Sequence, residues 1–185
     1  RIHEIPAAEK METLNKFIAT FGYSFKGDLE EIHPKEIQRV LGLIKGKPEE
    51  QAISTIMLRS MRQARYAPHC VGHFGLAAQY YCHFTSPIRR YPDLQIHRII
   101  KEQLNGKLTE KRSEQLSNIV EYASKQSSER EREADLAERD VHDYYKAVYM
   151  EERIGKEYDG IVSSVTSFGM FVELENTVEG LVRMV

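Results

Sequence analysis

The apolar residues of this chain keep two different rhythms, and the switch between them limits the fold more than any other feature. Before Gly155, apart from an aromatic stretch over residues 71–84, they recur three and four residues apart, the spacing of one helix face. After Glu157 they fall into short runs broken by turn residues, the spacing of strands. A chain with one such switch fits neither an all-helical nor an all-β fold. It reads as α+β, with a mostly helical part over residues 1–154 and a β part over residues 155–185. Three strands seldom close a barrel by themselves, so the β part reads as the opening of a larger one.

Within the helical part, Met11, Leu14, Phe17, Ile18 and Phe21 predict a helix over residues 9–21 that stops before Gly22. Ile37, Val40, Leu41 and Ile44 predict a second over 34–45, with Pro34 at its first position and Gly46 as its stop. A third covers 48–65, opened by Pro48, with Ile53, Ile56, Met57 and Met61 facing inward. Residues 71–84 are rich in aromatics and read as one or two strands, followed by a proline-bounded turn over 85–92. Pro92 then opens a helix to about Leu104 in which Leu94, Ile99 and Ile100 are apolar. From 109 to 152 the pattern is helical almost throughout, with Leu116, Ile119, Val120 and Ala123 on one face. Ala134, Ala137, Val141, Tyr144 and Val148 continue that face. Ser128 and Glu131 have the spacing of a capping box, which predicts two consecutive helices rather than one. In the β part, Ile161, Val162 and Val165, then SFGMFVEL, then EGLVRMV beyond Asn176 predict three short strands.

The chain has 185 residues, 41% hydrophobic and 29% charged, enough apolar surface for a core. Its formal net charge of −2 is not that of a broadly basic nucleic-acid binder, so RNA recognition would have to come from local charge and motif. The two cysteines, Cys70 and Cys82, fit a reduced cytoplasmic protein better than a disulfide scaffold. No apolar run is long enough to predict a membrane span, and no signal peptide opens the chain. It starts at Arg1 and stops at Val185 within a strand pattern, so both ends read as cuts.

The most informative stretch is HFTSPIRRYPD, residues 83–93. Pro87 and Pro92 restrict the backbone on both sides of Arg89 and Arg90. A helix opened by Pro92 would present unpaired N–H groups and partial positive charge at its start, which favours anions. Two guanidinium groups just before that end, with the hydroxyls of Thr85 and Ser86 nearby, describe a phosphate site with rigid walls. The plain alternative is a surface turn whose arginines pair with Asp93 or with acids elsewhere.

HFTSPIRRYPDLQIHR, preceded by GHFGLAAQYY, resembles the signature of the ribonuclease II family, and SPIRRYPD resembles its ribonuclease R branch. RIHEIP at the start, MLRSMRQARY before the glycines and AERDV near residue 140 resemble the same branch in the same order. The resemblance implies part of a processive, monomeric 3′→5′ exoribonuclease that hydrolyses single-stranded RNA to nucleoside 5′-monophosphates with Mg2+. In that family an aspartate cluster in the N-terminal half of the catalytic domain holds the metal. No such cluster is legible here, so the metal ligands are expected outside this chain, and the piece alone is expected to be inactive. The resemblance gives Arg89 the place of the arginine near the scissile phosphate, where it would stabilise the charge developed when metal-activated water attacks. It makes Arg90 a backbone-phosphate contact, leaves Tyr91 to bind or pack, and puts Glu138, in AERDV, close to the RNA channel, where a plain helix-surface acid is an equal reading.

Residues 157–185 resemble the opening of an S-one type RNA-binding domain, an OB-fold, through GIVSSVTSFGMFVEL and EGLVRMV. Such domains stack bases on aromatics over a basic groove. Phe168 and Phe171 take the aromatic positions of the FGxFV pattern, with Phe171 equally readable as core, and Arg183 stands where the family often has histidine. Several tempting signals weigh little. His69, Cys70, His73, Cys82 and His83 are zinc-ligand types at a spacing that is no standard knuckle. Ser86 has no evident base to make it a nucleophile, and His97 reads as a structural contact. A second function, from another class, is a non-catalytic single-stranded RNA-binding module.

Overall fold

The structure, a computed structural model, describes residues 1–183. Met184 and Val185, which end the expected strand EGLVRMV, lie outside the described residues. The chain divides into two compact units, Arg1–Glu131 and Arg132–Val185.

In the first unit, α1 (Ala8–Ala19), α2 (Pro34–Ile44) and α3 (Glu50–Ser60) bring their apolar faces together. Met11, Leu14 and Ile18 of α1 meet Val40 and Ile44 of α2 and Ile53 and Met57 of α3, with Phe25, Ile32 and Phe74 added from the connections. All are spaced three or four residues apart within their helices, so one face of each is buried. Each large side chain so buried contributes about 1.5–3 kcal/mol of transfer free energy. Pro34 does open α2, and the His33 ring caps it by accepting the Lys35 N–H at 3.1 Å. Phe21 lies beyond the end of α1 and is exposed, as is Leu41 on α2. The third helix is shorter than its pattern. It starts at Glu50 and ends at Ser60, and the chain then extends so that Arg65 and Ile2 exchange backbone hydrogen bonds of 2.8 and 2.9 Å.

Residues 71–84 do not form the expected strands. They hold a 3-10 turn at Phe74–Leu76 and single bridges of His73 to His3 and to Ala78. The backbone explains this. Gly72 and Ala77 both take positive φ, 82° and 50°, so neither can continue an extended run. Gly75 sits against the His3 ring, where a Cβ would lie 2.8 Å from His3 Nδ1. The helix α4 (Tyr91–Leu104) has Pro92 in its first turn as expected, but Ile100 is exposed and Leu94 and Ile99 only half-buried. The residues it buries are Asp93 and Gln95.

The stretch from 109 is one helix and not two: α5 runs unbroken over Glu110–Glu151, 42 residues. Ser128 caps nothing. Its hydroxyl sits inside the helix, donating to the Ser124 carbonyl at 2.8 Å and accepting the Tyr66 N–H at 2.9 Å. Leu116, Ala123 and Ser124 are buried, but Val141, Tyr144 and Val148, expected to continue that face, are exposed.

The second unit adds a three-stranded antiparallel sheet of order β1-β2-β3, made of β1 (Gly160–Thr166), β2 (Gly169–Leu174) and β3 (Glu179–Arg183). A bulge at Ser163 shifts the β1–β2 register between Val162 and Ser164. Gly169 is buried where β2 meets β3, and a Cβ there would lie 2.5 Å from the Val182 carbonyl oxygen. That glycine therefore allows the two backbones to approach.

Candidate functional site

The turn between His83 and α4 is built around one carboxylate. Asp93, at the third position of α4, is 0% exposed. Its Oδ2 accepts the Ser86 N–H and the Arg90 Nη2–H, each at 2.8 Å. The Ser86 carbonyl in turn accepts the Arg90 N–H at 3.0 Å and the Arg89 N–H at 3.3 Å. One oxygen thus holds both ends of the loop Ser86–Arg90, and Pro87 stiffens its rising limb. Burial alone would push the Asp93 carboxyl up. The Ser86 N–H and the Arg90 guanidinium outweigh it and leave the carboxyl below its ordinary range. Asp93 Oδ1 and Arg90 Nε are buried with no partner among the described residues.

The two arginines are therefore unequal. Arg90 is half-buried and ion-paired to Asp93. Arg89 is exposed, with no side-chain partner among the described residues. Thr85 is exposed as well, and Ser86, half-buried, gives its N–H to Asp93. Tyr91 is exposed, with a long contact of 3.4 Å from its hydroxyl to Gln95 Oε1. His97 stacks on Phe84, ring centroids 4.2 Å apart, and its Nε2 lies 2.8 Å from the Phe84 carbonyl oxygen, which is a structural contact.

A ladder of rings braces the turn from behind. His3, His73, Tyr81, His83 and Tyr66 meet edge to face in that order, with centroids 5.0–5.8 Å apart. The Tyr66 hydroxyl lies 2.9 Å from His83 Nδ1, and the Arg1 guanidinium sits 4.7 Å over the Tyr66 ring while pairing with Glu131. Burial, then the charges of Arg90 and Arg1, lower the His83 pKa. Burial, then His3, lowers that of His73. Burial raises the Tyr66 hydroxyl. No spacing rule points to this bracing role of Arg1, Tyr66 and His83, because the partners are far apart in the chain. His69, Cys70, Cys82 and His83 line a common cavity of about 210 Å³, and Cys70 Sγ donates to the Gln79 carbonyl at 3.2 Å.

The donor set does not fit Mg2+. Asp93 is the one acid buried in the turn, and its Oδ2 is neutralised by a guanidinium that would repel a dication. Among the described residues no group of three or more His, Cys, Asp or Glu side chains could hold a metal ion.

In the second unit, Phe168 occupies the two-residue turn between β1 and β2 and is 57% exposed. Phe171, within β2, is half-buried, and the two rings meet edge to face at 6.4 Å. The strand register puts exposed Arg183 opposite Gly169, next in the chain to Phe168. Two aromatic rings and a cation thus gather at one end of the sheet, which suits stacked bases and a phosphate. Glu138 is exposed on α5, apart from that cluster in sequence and with no side-chain partner among the described residues.

Comparison with known proteins gives these two places a context. Residues 1–106 match the RNB domain, and residues 151–184 match the S1 RNA binding domain. The chain is 50% identical to ribonuclease R 1 of Lactococcus lactis over 188 residues, covering 100% of this chain and 22% of that protein. It is 47% identical to ribonuclease R of Aquifex aeolicus over 185 residues, covering 100% of this chain and 26% of that protein. The chain thus spans about a quarter of the length of these curated relatives. Among solved structures, RNase R of Mycoplasma genitalium in complex with ribose methylated single-stranded RNA is similar at a TM-score of 0.91 and 29% identity, over 99% of this chain and 29% of that one.

Proposed function

The chain belongs to the RNB domain family, and on that premise we propose that it is one part of a longer 3′→5′ exoribonuclease that hydrolyses single-stranded RNA to nucleoside 5′-monophosphates. The observation that carries the proposal is the exposed, unpartnered Arg89 at the tip of a loop whose ends are fastened to one buried carboxylate. A planar guanidinium held so offers two N–H groups to the non-bridging oxygens of the last phosphodiester and meets the charge that grows on them during hydrolysis. Arg90 gives one nitrogen to Asp93 and adds its charge to the same field. The Thr85 and Ser86 hydroxyls and the Tyr91 ring flank the loop, where they would meet the RNA backbone. Within the second unit, Phe168, Phe171 and Arg183 would hold single-stranded RNA by stacking and charge, with Glu138 bordering the bound strand.

We assign the divalent cation of this reading, Mg2+, to carboxylates outside the chain. Two free, exposed thiols, Cys70 and Cys82, support a reducing, cytoplasmic setting. The alternative of a non-catalytic RNA-binding module is not favoured, since the relatives that match the whole chain are ribonucleases.

The test is digestion of 5′-labelled single-stranded RNA by the full-length protein with Mg2+, compared with its Arg89→Ala variant. Progressive shortening from the 3′ end, slowed about 10²–10³-fold by the substitution, is expected. RNA that is bound and never shortened would give the function to the binding-module reading.

A further inference from the structure

We infer that Asp93 is a positioning residue for the reaction: its buried carboxylate sets where Arg89 stands by clamping the loop at Ser86 and Arg90. The inference rests on the reading of Arg89 as the phosphate contact and says what holds that contact in place.

Asp93 Oδ2 takes two hydrogen bonds that converge from opposite ends of the loop, the Ser86 N–H and the Arg90 Nη2–H. Neither bond is part of the α4 backbone ladder, so the helix would form without them. Their effect falls on Pro87, Ile88 and Arg89, which lie between the two fastened points. Ile88 and Arg89 are exposed and have no packing of their own to fix them. The Arg89 N–H bond to the Ser86 carbonyl is long, 3.3 Å, and holds the tip only as firmly as Ser86 is held. The clamp also explains why two adjacent arginines differ. Arg90 is three residues before Asp93, half-buried and tied to it, while Arg89 is left to the solvent. Arg90 thus serves as the second arm of the clamp.

The geometry supplies a gentle substitution. Oδ1 of Asp93 has no partner among the described residues, so Asp93→Asn can place its amide nitrogen there and keep an oxygen facing Ser86 and Arg90. Shape and both acceptor contacts survive, and what is lost is the charge that holds the guanidinium. A displacement of the Arg89 tip by about 1 Å is enough to slow chemistry tenfold to a hundredfold.

The experiment is a cycle in the full-length enzyme: wild type, Asp93→Asn, Arg89→Lys and the double variant, each measured for kcat and KM on single-stranded RNA and for thermal melting. Arg89→Lys keeps a cation without the fork and leaves a rate to measure. Asp93→Asn is expected to lower kcat about tenfold or more with KM changed less than about threefold. In the Arg89→Lys background the same substitution is expected to cost less than about threefold, because the effect travels through the fork that is already gone. An equal loss of kcat in both backgrounds, or a lowered melting temperature with kcat intact, overturns the positioning role and leaves the exoribonuclease reading standing. If Arg89→Lys leaves kcat unchanged, the reading of Arg89 falls and this inference falls with it. Should Asp93→Asn not fold, Arg90→Lys loosens the other arm and is read by the same comparison.

Discussion

Replacing Ser128 with alanine tests how α5 holds the segment that leads to the ring ladder. The Ser128 hydroxyl has one proton, and its shorter contact, 2.8 Å, gives that proton to the Ser124 carbonyl rather than to the Tyr66 carbonyl at 3.3 Å. What the alanine removes is therefore the acceptor of the Tyr66 N–H, 2.9 Å away. Tyr66 is a buried residue, and the space left by one hydroxyl is too small for water to take over the bond. An N–H stranded in this way costs about 1–3 kcal/mol, roughly a 5- to 160-fold shift in the local opening equilibrium. Native-state hydrogen exchange of the Tyr66 amide in the full-length enzyme reads this shift directly. Ser127→Ala is the control, since Ser127 has no side-chain bond among the described residues. Tyr66 protection that is the same in both variants would refute the reasoning.

Three further outcomes are expected. The unfolded chain protonates His83 near 6.5, while burial, Arg90 and Arg1 hold the folded value lower, so stability should fall as pH drops from 6.5 towards the folded value. His83→Gln should flatten that slope in thermal melts across the range, and an unchanged slope sinks the assignment. Phe168→Ala should weaken single-stranded RNA binding by about 1–3 kcal/mol without altering its salt dependence, whereas Arg183→Ala should reduce the salt slope by about one. Anisotropy titrations at several salt concentrations separate the two, and the stacking role fails if Phe168→Ala binds as wild type does. Gly169→Ala should destabilise the β2–β3 pairing by about 1–3 kcal/mol, because the added Cβ meets the Val182 carbonyl oxygen. Amides of β2 and β3 that exchange no faster in the variant would count against the close approach as the reason for glycine.

What could be read from the sequence was local. The faces of α1 and α2 follow from spacing within one helix, and Pro34 and Gly46 punctuate the two ends of α2. The capping-box spacing at Ser128 misled because the hydroxyl answers to Tyr66, 62 residues away. The aromatic run over 71–84 looked like strands, yet its rings pack on one another, and two left-handed residues break the extended backbone. At the site, the prolines and arginines marked a rigid turn. That Asp93 would take Arg90 and spare Arg89 depends on the backbone folding back to Ser86, which no spacing rule states. The stripe Val141, Tyr144, Val148 keeps the helical periodicity of one apolar face, yet all three residues are exposed.

The spans of these contacts also set an order of events during synthesis. The pairings of β1, β2 and β3 join neighbours in the chain and can close almost as soon as they are made. Ile2 waits for Arg65, His3 for Gly72, and the Arg1 guanidinium for Glu131, 130 residues later. Until α5 has left the ribosome, Tyr66 has neither Ser128 to take its N–H nor the Arg1–Glu131 pair beside its ring. A growing chain halted between Tyr66 and Glu131 therefore holds the Tyr66 ring and N–H without these partners, a partly folded state of the kind that aggregates.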